Sequence, residues 1–122
     1  MAITVVGLGP GPYELLTLAA ARILESARVV RLRTARHPTV DAFPEGIRWT
    51  SFDSLYDRLP DFEAVYSGIV DALLAEALGG NDVVYAVPGD PSLGEASVTL
   101  LRTRAAEVKV PCLLVPDRKS VV

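Results

Sequence analysis

The sequence predicts an α/β fold, a mainly parallel sheet with helices on both faces. Two short, nearly all-apolar runs, residues 3–8 and 82–87, each end in a segment rich in glycine and proline. Such runs suit strands buried on both faces, as parallel sheets require. They alternate with stretches whose apolar residues recur every three or four positions, the spacing of a helix with one buried face.

Taken in order, residues 3–8 form the first strand, and the loop 7–12 holds too much glycine and proline to extend it. Thr17 caps a helix reaching Ser26, with Ala20, Ile23, Leu24 and Ala27 on one face. Residues 28–32 form a second strand. From Arg33 to Leu59, Pro38, Pro44 and Gly46 predict loops around a short strand at 47–50, with a short helix at 54–58. Asp61 follows Pro60 as the N-cap of a helix over 61–78. Phe62, Val65, Tyr66, Ile69, Val70, Leu73, Leu74 and Ala77 share its inner face, and Gly79-Gly80 ends it. A strand at 82–87, the loop 88–91, a helix at 95–106 and a strand at 108–115 complete the pattern. Pro111 favours the start of that last strand or an edge position.

Half of the 122 residues are apolar, enough for a real core, and the formal net charge is −3. No basic stripe is present to neutralise phosphates, so nucleic-acid binding is not expected. The N-terminus lacks a basic segment followed by a long apolar one, and no apolar run approaches the ~20 residues of a membrane span. With one cysteine, Cys112, the protein is expected to be cytoplasmic, and Cys112 to be a small core residue. Trp49 and the tyrosines are scattered, which favours core or surface roles over a stacking platform.

Both glycine-proline loops follow the C-terminal end of a strand, the edge where open α/β sheets bind ligands. Glycine lets a backbone approach a ligand, and proline stiffens the loop beforehand. The first loop is not a dinucleotide fingerprint, because Pro12 stands where the third glycine would be, and no P-loop lysine follows. The plainer reading is a pair of tight strand-to-helix connections.

Val6-Gly7-Leu8-Gly9-Pro10-Gly11 with Leu15-Leu16-Thr17-Leu18 resembles the opening signature of the tetrapyrrole (corrin/porphyrin) methylases. Val87-Pro88-Gly89-Asp90-Pro91 with Gly94 resembles their second motif, at matching separation. Leu32-Arg33-Thr34 with His37-Pro38, and Ser51-Phe52-Asp53 with Leu55-Tyr56, are similar to the methylase-like domain fused to MazG-type nucleoside triphosphate pyrophosphohydrolases. The resemblance implies two α/β lobes with S-adenosylmethionine in the cleft between them, residues 1–116 being the N-terminal lobe. It implies that Pro10 lines the cofactor site, that Pro88, Gly89 and Asp90 contact it largely through backbone groups, and that Leu93 lies nearby. It implies methyl transfer to a small-molecule acceptor without a metal, and a homodimer is an expectation for the full-length protein. No catalytic residue follows from it.

Arg33 stands where the uroporphyrinogen methylases of this family carry an aspartate, which argues against a tetrapyrrole acceptor. Arg33, Arg36 and His37 could bind an anionic acceptor, with His37 as a general base, although a solvated basic loop is the plainer reading. Beyond Pro116 the pattern of the family stops. Residues 117–122 resemble the translation of a sequencing adapter, so the lobe is expected to be truncated, and inactive as it stands. Two functional readings follow: a methyltransferase lobe, or a non-catalytic ligand-binding or regulatory module fused to a pyrophosphohydrolase.

Overall fold

The computed structural model describes residues 1–9, 12–91 and 95–116. Its five strands are β1 (Ile3–Gly7), β2 (Val30–Leu32), β3 (Trp49–Ser51), β4 (Val83–Val87) and β5 (Cys112–Val115). They lie in the order β3-β2-β4-β1-β5, and every pairing in this sheet is parallel. The helices are α1 (Leu18–Ser26), α2 (Pro38–Asp41), α3 (Asp53–Arg58), α4 (Phe62–Leu78) and α5 (Ala96–Glu107), with a 3-10 turn at Tyr13–Leu15. Among the described residues, no helix is long and apolar enough to cross a membrane.

Alternation along each strand divides the core in two. Ile3 and Val5 of β1 and Val83, Tyr85 and Val87 of β4 face α4 and α5. Val6, Ala86, Val30 and Leu32 face the other way, onto Ala20 and Leu24 of α1 and Val40 of α2. The sheet is therefore covered on both sides, which is why its central strands read as unbroken apolar runs instead of alternating ones.

The caps are as expected: the Thr17 side chain accepts from the Ala20 N–H at 3.1 Å, and Asp61 from the Ala64 N–H at 2.8 Å. Phe62 departs from the predicted inner face of α4, being 67% exposed while Val65, Ile69, Val70, Leu73, Leu74 and Ala77 are buried. It lies in the first turn of the helix and stacks on Tyr66, with Tyr56 edge-on to it. Two of the tyrosines thus join a surface aromatic cluster and are not isolated. Pro111 lies just before β5, which is an edge strand, and Cys112 is half-buried with its thiol pushed up by burial.

Leu24→Ala and Leu73→Ala, one on each face of the sheet, should each cost about 2–5 kcal/mol by leaving a cavity. Leu113→Ser, at a position 60% exposed on β5, should change stability by less than about 0.5 kcal/mol. Urea unfolding of the three variants checks this; a cost for Leu113→Ser equal to the other two would mean that the core is misassigned.

Candidate functional site

The two glycine-proline loops leave the same edge of the sheet from neighbouring strands. Gly7 and Val87, the last residues of β1 and β4, are in register. The ladder runs on past them: the Leu8 N–H donates to the Val87 carbonyl at 2.8 Å, and Gly9 and Gly89 then exchange both backbone hydrogen bonds, at 3.1 and 3.3 Å. Both glycines have positive φ, 65° and 68°, a backbone that a Cβ would strain. From this bridge the chain runs to α1 on one face of the sheet and to α5 on the other. A ligand crevice in an open α/β sheet forms where successive crossovers part in this way.

The first loop is held from the α2 side. The Thr39 hydroxyl donates to the Leu8 carbonyl at 3.1 Å, and His37 Nε2 lies 2.7 Å from the Gly9 carbonyl. His37 Nδ1 accepts from the Thr39 N–H at 3.1 Å, so the proton sits on Nε2, which donates to Gly9. Both nitrogens of this buried ring are engaged, which leaves neither to act as a general base.

The second loop is tied down where it ends. Glu95, just before α5, accepts from the Ser97 hydroxyl at 2.8 Å, and Ser97 in turn meets the fully buried Tyr85 hydroxyl at 2.8 Å. The other Glu95 oxygen pairs with Arg33 Nε at 3.3 Å, too poorly angled to be a hydrogen bond. Arg33 also donates to the Tyr56 hydroxyl at 2.8 Å. Burial alone would depress the guanidinium, but Glu95 and Tyr56 outweigh it and raise its pKa. Arg33 therefore stays charged and paired.

These contacts correct the reading of Arg33, Arg36 and His37 as a basic cluster, whether anion-binding or solvated. Only Arg36 is exposed, His37 packs on the α1 side, and Arg33 is on the opposite face with its charge met by Glu95. A cavity of about 210 Å³ beside Arg33 and Arg36 is also lined by Asp53 and Asp57. Two cations against two carboxylates give it no anionic preference, and it falls below the ~300 Å³ of an ordinary small-molecule site.

Of the residues expected at a cofactor site, Pro88, Gly89 and Asp90 stand together, half-buried, directly after β4. Pro10 and Leu93 lie outside the described residues. A Cβ built on Gly89 would meet no atom of the described residues within 4 Å. Sequence reasoning missed Thr39, Glu95, Ser97 and Tyr85. His37 followed by Pro38 is an N-cap and first-turn proline, a signal that could have revealed α2. Nothing local announces the pairing of Arg33 with Glu95.

The described residues form an α/β lobe whose two glycine-proline loops set out from one edge of a parallel sheet, joined there by the Gly9–Gly89 bridge. Residues 2–117 match the tetrapyrrole (corrin/porphyrin) methylases, and the chain belongs to that family. The uncharacterized protein YabN of Bacillus subtilis (strain 168) is 41% identical over 111 residues, covering 88% of this chain and 22% of that protein. The native form of uroporphyrin-III C-methyltransferase from Thermus thermophilus superposes with a TM-score of 0.68 at 25% identity, over 98% of this chain and 45% of that one. The form of that enzyme complexed with S-adenosylhomocysteine has the same fold, with a TM-score of 0.64 at 24% identity over 98% of this chain and 46% of that one. The chain thus spans under half of the solved enzyme and about a fifth of YabN.

Two predictions follow from the clamps. His37→Ala leaves the Gly9 carbonyl and the Thr39 N–H without this partner and should cost about 1–3 kcal/mol in urea unfolding. A loss no larger than that of an exposed residue would show the clamp to be idle. Asp53 gives a pH test. Burial would raise its pKa, but the Ala35 N–H, the Thr34 and Ser51 side chains and Arg36 outweigh this and hold it low. Its stabilisation should be complete above the unfolded carboxylate pKa of about 4 and be lost as pH falls through the lower native value. Asp53→Asn should therefore be less stable than the wild type at neutral pH, with the gap closing in acid; a gap independent of pH would refute this.

Proposed function

We propose that this chain forms one half of an S-adenosylmethionine site in a methyltransferase-type domain, with residues 7–9 and 87–90 at its floor. The observation that carries the reading is the Gly9–Gly89 backbone bridge at the sheet's switch point, with no atom of the described residues crowding the Gly89 backbone. Membership of the methylase family and the fold shared with an enzyme solved with S-adenosylhomocysteine support it.

The residues present fit such a group. Gly89 offers backbone without a side chain in the way, and Asp90 places a carboxylate beside it that suits the cationic methionine end. Pro88, Gly89 and Asp90 would hold the cofactor, joined by Pro10 and Leu93. S-adenosylmethionine supplies an activated methyl group on a sulfonium that leaves readily, so no metal is needed. The chain's own task is to orient: the proline-locked loops fix the cofactor so that a small-molecule acceptor can approach in line. The acceptor is expected to enter from a second lobe that completes the cleft. A cytoplasmic, dimeric full-length protein with residues 1–116 as its first lobe is part of this reading.

The second reading is a ligand-binding module that regulates a fused MazG-type pyrophosphohydrolase. One observation favours it: the chain covers 22% of YabN against 45% of the methyltransferase, so YabN is about twice as long. That leaves room for another domain. Nucleotide hydrolysis by the full-length protein that responds to S-adenosylmethionine without methyl transfer would select this alternative.

Titration of the chain with S-adenosylhomocysteine, followed by NMR, should move the Gly9, Gly89 and Asp90 amides, with millimolar affinity because half of the pocket wall is lacking. Gly89→Asn, the side chain that tolerates positive φ better than most, should put bulk over this backbone and abolish these shifts at a cost in stability of about 1 kcal/mol. Asp90→Asn should weaken binding about tenfold if its charge meets the cationic end. Shifts absent from these amides, or unaltered by Gly89→Asn, would leave the loops as plain connectors.

A further inference from the structure

We infer that Arg33 is a positioning residue for the β4–α5 loop, acting through Glu95, and that it does not serve as an anion receptor. The inference rests on reading that loop as the ligand loop, although the contacts themselves do not depend on it.

Arg33 leaves the end of β2 on the face toward α4 and α5. Its backbone N–H extends the β2–β4 ladder by donating to the Ala86 carbonyl at 3.0 Å. Its side chain then reaches Glu95, the N-cap residue just before α5. The loop is thus tied at its start by the Gly9–Gly89 bridge and at its end by Glu95. Glu95 makes no capping hydrogen bond from its side chain, so the carboxylate is turned to Ser97 and Arg33 instead. Both members of the ion pair are sheltered, at 21% and 12% exposure, so solvent screens the attraction far less than on an open surface. The Tyr56 hydroxyl holds the far end of the guanidinium, which gives the pair one orientation. Tyr85, buried beneath, closes the chain of contacts through Ser97.

The consequence for chemistry is definite. The guanidinium's charge is already balanced by the Glu95 carboxylate, so it brings little uncompensated charge to an acidic ligand, and what it does hold is the end of the β4–α5 connection at Glu95. Removing Arg33 should free the loop and leave the sheet intact.

The test is hydrogen exchange of the Gly9 and Gly89 amides, whose mutual bonds report opening of the bridge, against Ile3 and Val83. The latter two donate to Pro111 and Ala2 at the opposite edge of the sheet. In Arg33→Ala, exchange at Gly9 and Gly89 should quicken roughly tenfold with Ile3 and Val83 unmoved. Glu95→Ala should do the same, the double variant should be no worse than either alone, and Arg33→Lys should restore part of the protection. Equal quickening of all four amides would reduce Arg33 to a general stabiliser, and no quickening at Gly9 and Gly89 would overturn the inference. Titration of the wild type with S-adenosylhomocysteine separates the two ideas. Absent shifts with quickened exchange would defeat the cofactor reading alone, and shifts with unaltered exchange would defeat this one alone.

Discussion

The parallel pairing of β1 with β4 is the contact on which the rest of the molecule depends. It joins segments about eighty positions apart, from Ile3 against Val83 to Gly7 against Val87. Both strands are buried on both faces, so their backbone groups have no access to water and must find each other. Where the two strands end, the same requirement continues through Leu8, Gly9 and Gly89. The crevice is therefore the place where a fully satisfied ladder stops and its chains turn to opposite faces.

Polar burial follows the same geography. Among the described residues, His37, Thr39 and Ser97 are the buried polar side chains, and all three serve the loops at that edge. Thr39 and His37 hold carbonyls of the first loop, and Ser97 braces the glutamate that ends the second. A buried polar group is stable only when partnered, so each of these fixes one local geometry and tolerates few others. Apolar packing shapes the sheet, and hydrogen bonding shapes the rim where its two glycine-proline loops begin.

The fold was legible because its signals are local. Apolar runs at residues 3–8 and 82–87, the Thr17 and Asp61 caps and the periodicity of 61–78 each describe their own neighbourhood. The two loops were legible for the same reason, as glycine and proline act on the residues beside them. Strand order was not legible, nor was the exposure of Phe62, because both depend on what packs alongside. The fate of Arg33 shows the limit most clearly. Beside Arg36 and His37 it reads as part of a basic cluster, yet its partner, Glu95, is brought to it only when β4 slots in beside β2.

That slotting bears on how the chain acquires its shape. β4 lies between β1 and β2, so the first two strands of the sequence never touch each other as neighbours. A nascent chain that has emerged as far as α3 holds both, but lacks the strand that joins them. Of the sheet, it can close only β2 against β3. Until residues 83–87 arrive, β1 has neither of its partners and exposes two bare edges and two apolar faces. Such long-range closure is slow and leaves strands open to the wrong company meanwhile. For this architecture, the interval between the synthesis of β1 and that of β4 is when a ribosome-bound chain most needs a chaperone's cover.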